Sequence, residues 1–319
     1  MMAAAETVFL FSGQGSQHFH MGKDLFEKNE VFRDWMLRLD AVAQRASGHS
    51  VVDALYSDAN RRSDPFDRLI LSHPAIVMVE ISLAQALMHA GVMPDLVLGV
   101  SLGSFAAAAV AGFLDIEDAL IAAVQQAKAL EEGCEPGGMT AVLADPALYG
   151  QEFLRSRSEL AAVNFSSHFV VSAKRNELAE VEAGLQRENV GFQRLPVRFP
   201  FHSQWMDGAR VPFEAFARSI RWKGGRLPLA CCGRTEVLHE LRDGFLWDVV
   251  RNPIHFRETT ARLEQQGPRR YVDVGPAGTL ATFLKYGLPA TTRSTVHSIL
   301  TPFGTDQKNF SALSPAYAY

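Results

Sequence analysis

An apolar strand, a glycine-flanked serine and an alanine-rich helix follow one another over residues 95–110, and no other segment constrains the fold as strongly. Residues 95–99 are short and apolar, as expected for a buried strand. Residues 103–110 are rich in alanine, which favours a helix. Between them, Gly99-Val100-Ser101-Leu102-Gly103 has the spacing of a nucleophile elbow. Strand, tight turn and helix in this order predict an α/β fold.

The elbow pattern makes Ser101 a candidate nucleophile. Glycine at positions 99 and 103 removes the side chains that would crowd the sharp turn, so the Ser101 hydroxyl is left accessible. The helix that follows would present free N–H groups and its positive end to a substrate oxygen that gains negative charge. The alternative is an ordinary tight turn with no catalytic role.

A serine hydroxyl needs a base within hydrogen-bond reach, and ten histidines compete for that role. His202 follows an apolar approach in Phe199-Pro200-Phe201-His202-Ser203. His73, which precedes a proline, and His255 are its rivals. No acidic partner is evident from spacing, and Asp273 could act as a third group or simply cap a turn.

Composition excludes several classes of protein. The 319 residues carry 47% hydrophobic and 21% charged residues and a net charge of -4, so neither nucleic acid nor a membrane surface is expected as a partner. The odd count of three cysteines argues against a disulfide framework, and no metal-ligand spacing appears, so no metal is expected. The N-terminus lacks the basic region of a signal peptide, and apolar runs such as 105–111 are too short to span a bilayer. We therefore expect a cytoplasmic protein.

The rest of the chain divides into a main unit and an insert. Residues 7–11 form a predicted strand that leads into the glycine-punctuated loop 12–17. Helices are predicted over 24–46 and from His73-Pro74 onward, with Pro74 in the first turn. Residues 137–143, 161–164, 168–172 and 193–197 indicate strands, with a helix over 176–188 capped by Asn176. This pattern predicts a small inserted unit, and the tail from Thr301 onward is expected to be peripheral.

Five motifs carry a resemblance to a known family. They are Gly13-Gln14-Gly15-Ser16-Gln17, the elbow, Phe201-His202-Ser203, Asn252-Pro253 and Asp273-Val274-Gly275-Pro276. In these motifs, and from about residue 7 to residue 300, the chain resembles the malonyl-CoA:acyl-carrier-protein acyltransferases, which include the acyltransferases of fatty acid and polyketide synthases. The elbow departs from the family pattern only at Val100, where the family usually has histidine.

The resemblance implies a fold and a set of roles. The fold would be an α/β-hydrolase-like large domain, residues 1–136 and 199–319, with a small ferredoxin-like subdomain at 137–198. Ser101 would be the nucleophile and His202 its base, held by the main-chain carbonyl of Asn252. The N–H groups of Gln14 and Leu102 would form the oxyanion hole. No cofactor would be bound, because the substrate arrives on the phosphopantetheine of an acyl carrier protein or on CoA, and the protein is expected to be a monomer.

A second departure concerns the acyl group. Family members that use malonyl groups carry an arginine about 25 residues after the serine, and its guanidinium pairs with the malonyl carboxylate. Counting from Ser101 without a gap, the residue at this position is Gln126. Lys128 would face elsewhere on a helix. Leaving a buried carboxylate unpaired costs about 3–5 kcal/mol. Together with the apolar Val100, Gln126 predicts an acyl pocket for an uncharged group.

The chain is most similar, within the family, to discrete acyltransferase-like acyl hydrolases of trans-acyltransferase polyketide pathways, which clear stalled acyl groups from carrier proteins. Transfer of a non-malonyl acyl group to a carrier, malonyl transfer and a non-catalytic carrier-binding role stay open as alternatives. Four arginines are candidates for contacts with the acidic carrier: Arg155, Arg198, Arg251 and Arg257.

Overall fold

The computed structural model describes residues 5–314, whose strands form a six-stranded and a four-stranded sheet. The strands are β1 Glu6–Phe11, β2 Leu96–Gly99, β3 Gly137–Val142, β4 Glu159–Phe165, β5 His168–Lys174, β6 Phe192–Arg194, β7 Leu229–Cys231, β8 Glu236–Leu238, β9 Arg269–Asp273 and β10 Thr295–Ser298. The helices are α1 Lys23–Lys28, α2 Glu30–Ser47, α3 Val51–Tyr56, α4 Leu69–His89, α5 Gly103–Val110, α6 Ile116–Gly133, α7 Glu152–Arg155, α8 Arg175–Arg187, α9 Arg210–Ala217, α10 Phe245–Arg251, α11 Phe256–Gln265, α12 Thr279–Gly287 and α13 Asp306–Leu313.

The large sheet has the order β10-β9-β1-β2-β7-β8. Its ladders are parallel except for the one between β7 and the edge strand β8. Every residue of β2 is buried, as its continuous apolar run requires. Because β1 and β2 are parallel neighbours, the loop after β1 and the turn after β2 meet at the carboxyl edge of the sheet, where ligands of α/β folds bind.

The small sheet is antiparallel with the order β4-β5-β3-β6. Short helical turns lie between β3 and β4, which the sequence pattern did not predict, and α8 lies between β5 and β6. These elements pack over a core of their own that includes Val142, Phe169 and Val181. The βαββαβ order confirms the predicted α/β class with a ferredoxin-like unit, and the exact bounds 137–198 stay a prediction.

A short parallel bridge joins β4 of the small sheet to the segment that follows α10. The N–H of Val163 on β4 donates to the carbonyl of Ile254 at 2.8 Å, and the N–H of Ile254 donates to Ala161 at 2.8 Å. The segment that follows α10 is therefore fixed against the edge of the small sheet.

The predicted helix over 24–46 is wrong as a single element. Asn29 has extended backbone angles and ends α1, and its side chain accepts the Phe32 N–H at 3.0 Å to begin α2. The apolar spacing continues across this break because both helices bury the same side. The apolar spacing alone therefore did not reveal that Asn29 caps the start of a new helix.

Two predicted helix starts are also wrong. The fourth helix begins at Leu69, so Pro74 lies inside it rather than in its first turn. At α8 the N-cap is Lys174, without a side-chain cap bond, and Asn176 lies within the helix.

The tail after Thr301 is less peripheral than predicted. Helix α13 buries Phe310, and the Gln307 N–H donates to Asp24 of α1 at 2.9 Å. Residues 315–319 lie outside the described part of the chain.

Helix α4 is the one described helix whose length and apolar composition would suffice to cross a bilayer. Of its most apolar window, 89% is buried inside the protein, as in the central helix of a folded core. It packs between α2, α5 and α6 and carries a buried glutamate, Glu80.

Candidate active site

Three glycines allow the backbone to pack closely around Ser101. Gly99 and Gly103 flank the turn after β2, and Gly13 lies in the loop after β1. A Cβ on Gly99 would lie 2.5 Å from the Ser104 Cα, and one on Gly103 would lie 2.3 Å from the Phe11 carbonyl oxygen. A Cβ on Gly13 would lie 2.7 Å from the Ser101 Cβ. Ser101 itself has a left-handed φ of 53°, which costs free energy that the surrounding packing must supply. These close approaches fit the predicted elbow and fix the direction of the Ser101 hydroxyl.

His202 links Ser101 to the main chain after α10. Its Nε2 lies 2.8 Å from the Ser101 Oγ, and its Nδ1 lies 2.7 Å from the Asn252 carbonyl oxygen. A carbonyl only accepts, so Nδ1 carries the hydrogen and Nε2 is the free acceptor for the serine hydroxyl. The arrangement is that of a nucleophile, a base and a group that orients the base.

The backbone around His202 is held on both sides. His202 also has a left-handed φ, 59°, and its N–H donates to the Val250 carbonyl at 3.2 Å. The Phe201 carbonyl accepts a hydrogen bond from Ser172 on β5. The base is therefore positioned jointly by α10 and the small sheet.

Burial is the main reason that the pKa of His202 is lowered to about 4; the hydrogen bond to Asn252 raises this pKa and the charge of nearby Arg251 lowers it, and both effects are included in that value. The imidazole is thus neutral at pH 7. A neutral imidazole with a free Nε2 can take the proton of the Ser101 hydroxyl.

The rival groups do not reach Ser101. His73 is buried on α4, its ring centroid is 5.9 Å from that of Phe201, and neither ring nitrogen has a hydrogen-bond partner among residues 5–314. His255 begins α11 and donates its N–H to Cys232. Asp273 accepts the N–H groups of Gly275 and Ala281 at 2.8 Å each, so it caps a turn and a helix instead of orienting His202.

Two main-chain N–H groups beside Ser101 are free to donate hydrogen bonds to a ligand oxygen. Those of Gln14 and Leu102 donate to no other group within the described residues. Gln14 lies in the loop after β1, and Leu102 is the N-cap of α5, at the positive end of that helix. Gly13 brings the first of these loops against the elbow.

A cavity of about 240 Å³ opens at Ser101 and His202, between the two sheets. Its walls are largely apolar, and they include Val100, Met139, Val170, Phe201, Leu280 and Phe283. Two polar residues that the sequence did not single out as site residues, Asn164 and His168, also line it and lie 3.1 Å apart through Asn164 Nδ2 and His168 Nδ1. The sequence placed both residues in predicted strands. They reach the cavity because the small sheet packs against the large one.

Gln126 is fully buried on α6, and neither polar atom of its amide has a hydrogen-bond partner in the described part of the chain. It does not stand among the residues that line the cavity, whereas Val100 does. Lys128 faces away, since its Nζ donates to the Ala46 carbonyl at 2.8 Å. No lysine or arginine of the described residues lines the cavity.

The remaining candidates lie at the surface. Arg155 pairs with Glu152, Arg198 with Asp67 and Arg251 with Asp207. Arg257 makes no side-chain ion pair or hydrogen bond within residues 5–314, and it lines a groove that shares Asn164 and Phe283 with the cavity. The same residues contain no group of three or more His, Cys, Asp or Glu side chains that could hold a metal ion.

Comparison with known proteins gives a consistent set of matches. The family profile described as acyl transferase domain matches residues 8–316. The chain is 44% identical to the polyketide biosynthesis acyltransferase homolog BaeD of Bacillus velezensis, covering 97% of both chains. It is 42% identical to the homolog PksD of Bacillus subtilis, covering 96% of this chain and 95% of that one. A loading acyltransferase from the avermectin modular polyketide synthase superposes with a TM-score of 0.87 at 27% identity, over 96% of this chain and 98% of that one.

Proposed function

The chain belongs to the family of acyl transferase domains, and from that premise we propose that it hydrolyses uncharged acyl groups from carrier proteins in polyketide biosynthesis. The observation that carries the chemistry is the chain of contacts from Ser101 through His202 to the Asn252 carbonyl, with distances of 2.8 and 2.7 Å. Ser101 and His202 both line the largely apolar cavity.

In the first half-reaction, the Ser101 Oγ attacks the carbonyl carbon of a phosphopantetheine thioester while His202 Nε2 takes the hydroxyl proton. The N–H groups of Gln14 and Leu102 stabilise the oxyanion that forms. When the intermediate collapses, the carbon–sulfur bond breaks and the proton on His202 passes to the departing thiolate. The products are an ester on Ser101 and a free carrier thiol.

In the second half-reaction, His202 takes a proton from water, and the oxygen of that water attacks the ester carbonyl carbon. Collapse returns the proton to the Ser101 Oγ and releases the acid. A carrier thiol in place of the water would give acyl transfer instead. The Ser101–His202 pair serves both outcomes, so the acceptor alone separates a hydrolase from a transferase.

The preference for uncharged acyl groups rests on the surroundings of the cavity. Val100 contributes an apolar wall, Gln126 is neutral and buried, and no lysine or arginine of the described residues lines the cavity. A carboxylate brought into this region would lose its hydration without gaining a counter-charge.

The assignment to polyketide biosynthesis rests on the relatives, whose printed descriptions name that process. Acyl transfer between carriers is the second candidate, because the same descriptions call those proteins acyltransferase homologs.

One experiment distinguishes the two. Carrier proteins loaded with acetyl, longer acyl or malonyl groups are incubated with the enzyme, and their intact masses are followed with and without a second, unloaded carrier. Hydrolysis predicts rapid unloading of acetyl and longer acyl carriers in the absence of an acceptor, and no unloading by Ser101→Ala. An acyl-Ser101 ester that persists until a second carrier is added would establish transfer instead.

A further inference from the structure

A buried row of oxygen atoms runs behind the loop that follows β1. The Glu80 Oε1 of α4 lies 3.2 Å from the Ser12 Oγ, which lies 3.0 Å from the Ser16 Oγ. The Ser16 Oγ lies 2.8 Å from the Gly13 carbonyl oxygen. Glu80 Oε1 also accepts the Ser12 N–H at 2.6 Å. Glu80, Ser12 and Ser16 are all buried, and Ser12 and Ser16 also line the cavity beside Ser101.

The number of hydrogens in this row determines the charge of Glu80. By geometry the single Ser12 hydroxyl could donate to either Glu80 or Ser16, and the Ser16 hydroxyl faces the Gly13 carbonyl. Three hydrogen bonds along the row would need three hydrogens, whereas the two serine hydroxyls provide only two and the Gly13 carbonyl cannot donate, so the third hydrogen would be on Glu80. A neutral Glu80 therefore donates to Ser12, Ser12 donates to Ser16, and Ser16 donates to Gly13.

A neighbouring carboxyl group supports the same assignment. Asp273 accepts two main-chain N–H groups, whereas the Glu80 Oε2 has no hydrogen-bond partner among residues 5–314. When two buried carboxyls repel each other, the one with more N–H donors keeps the charge. Burial and the charge of Asp273 raise the pKa of Glu80 well above its ordinary value.

The row ends on the peptide group that carries an oxyanion donor. The Gly13 carbonyl and the Gln14 N–H belong to one trans peptide and point in opposite directions. A hydrogen bond from Ser16 to that carbonyl therefore sets the direction of the N–H, and successive hydrogen bonds polarise one another. Gly13 itself packs against Ser101, because a Cβ on Gly13 would lie 2.7 Å from the Ser101 Cβ.

We propose that Glu80 is a positioning residue which, as a neutral acid, starts a hydrogen-bond chain through Ser12 and Ser16 that aligns the Gln14 N–H for the oxyanion. The inference rests on the role of Ser101 in the proposed function, and it concerns the acyl-enzyme step alone. It holds whether water or a thiol later removes the acyl group.

Glutamine cannot replace the acid in either orientation of its amide. With its oxygen facing Ser12, it has no hydrogen for the Ser12 Oγ. With its nitrogen there, two donors oppose each other over the 2.6 Å contact with the Ser12 N–H. Glu80→Gln therefore tests the proton itself, at nearly constant volume.

The test measures how fast a fluorophosphonate labels Ser101, since this reaction needs the nucleophile, its base and the oxyanion donors but no particular acyl group. Removal of a whole oxyanion donor costs about 100-fold or more, so we expect a misaligned donor to slow labelling about 10-fold in Glu80→Gln and in Ser16→Ala. The double variant should be no slower than either, because both changes break one chain. The matched control is Ser82→Ala, a buried serine of α4 whose hydroxyl has no described partner.

An infrared band of a protonated carboxyl at pH 7 that disappears in Glu80→Gln is the second expected result. Labelling within about twofold of wild type in the folded Glu80→Gln and Ser16→Ala variants, or losses that multiply in the double variant, would overturn the inference. A wild-type protein that does not label at Ser101 would overturn it as well. A wild-type protein that labels normally but unloads no acyl carrier would contradict only the proposed function.

Discussion

The polar groups around Ser101 and two other side chains, His73 on α4 and Gln126 on α6, are equally hidden from solvent, yet they differ in how they are hydrogen-bonded. His202 is 2% exposed and uses both ring nitrogens, one on Ser101 and one on Asn252. His73 is 1% exposed and uses neither among the described residues, and the Gln126 amide is in the same situation. In the proposed function, the first region is the catalytic arrangement.

The polar groups of the second region have no hydrogen-bond partners that fix their orientation. This difference in hydrogen bonding suggests that the first region determines the mechanism and the second the selectivity. Buried polar groups that are fully paired hold one orientation, whereas unpaired ones can be exchanged for other neutral groups at small cost. We therefore expect the first region to tolerate no change, and the second to determine which acyl groups are accepted.

The largest effect is expected from one substitution made in both regions. Glutamine at position 202 can form hydrogen bonds but cannot take the serine proton, so His202→Gln should lower the rate of acyl-Ser101 formation by up to about 10⁴-fold. His73→Gln should change it less than about threefold, because His73 contacts no reacting group. Quenched-flow mass spectrometry of the acyl-enzyme measures both rates, and equal losses would remove the distinction between the regions.

A smaller effect is expected when the second region receives a charge. Gln126→Arg supplies a counter-charge for a carboxylate, so the preference for malonyl over acetyl carriers should rise by at least about 100-fold, corresponding to about 3 kcal/mol. Competition between the two loaded carriers measures this ratio. Gln126→Met, which is neutral and of similar length, is the matched control and should leave the ratio unchanged. An unaltered ratio in Gln126→Arg would show that position 126 does not face the acyl group.

The pH dependence sharpens the description of the first region. His202 must be neutral to act as a base, and burial lowers its pKa to about 4. The value of kcat/KM for a simple thioester should therefore be nearly constant from pH 7 down to about pH 5 and fall tenfold per unit below about pH 4. Circular dichroism at each pH controls for unfolding. A fall centred at pH 6.5, the ordinary value for histidine, would mean that His202 is more exposed to water in solution.

The smallest effect is expected at the surface, where the same contrast between paired and unpaired groups recurs. Arg257→Ala removes a cation without a partner beside the cavity, and Arg155→Ala removes one that is already paired with Glu152. If an acidic carrier docks at this groove, Arg257→Ala should raise KM for carrier-bound substrate by up to about fivefold, and less at high salt. Arg155→Ala should have no measurable effect, and neither variant should change KM for a small thioester. Equal KM changes in both variants would exclude this groove as the docking site.

The sequence was most informative where contacts are local. The strand β2, the glycines at 99 and 103 and helix α5 follow from apolar periodicity and turn chemistry within a short segment. The pairing of Ser101 with His202 does not follow from spacing, because 101 residues separate them. The local sequence made His202 one candidate base beside His73 and His255, the resemblance favoured it over them, and the structure brings His202 and Ser101 together.

Other features depend on tertiary packing that no local pattern contains. The break at Asn29 interrupts an apolar stripe that both flanking helices continue, so periodicity could not reveal it. Asn164 and His168 reach the cavity only because the small sheet docks against the large one. A single acidic residue in the apolar helix α4 was the available signal for Glu80, yet its partner Ser12 lies 68 residues away.

The linear order of the site has a consequence for protein synthesis. A ribosome-bound nascent chain that has emerged only through α6 already contains the elbow, but His202 comes 101 residues after Ser101, and the carbonyl that orients it comes 50 residues later still. The four strands of the small sheet are translated in between. Under the proposed mechanism, the serine would therefore remain unactivated until translation has passed Asn252, and partly synthesised chains would not attack the cell's thioesters.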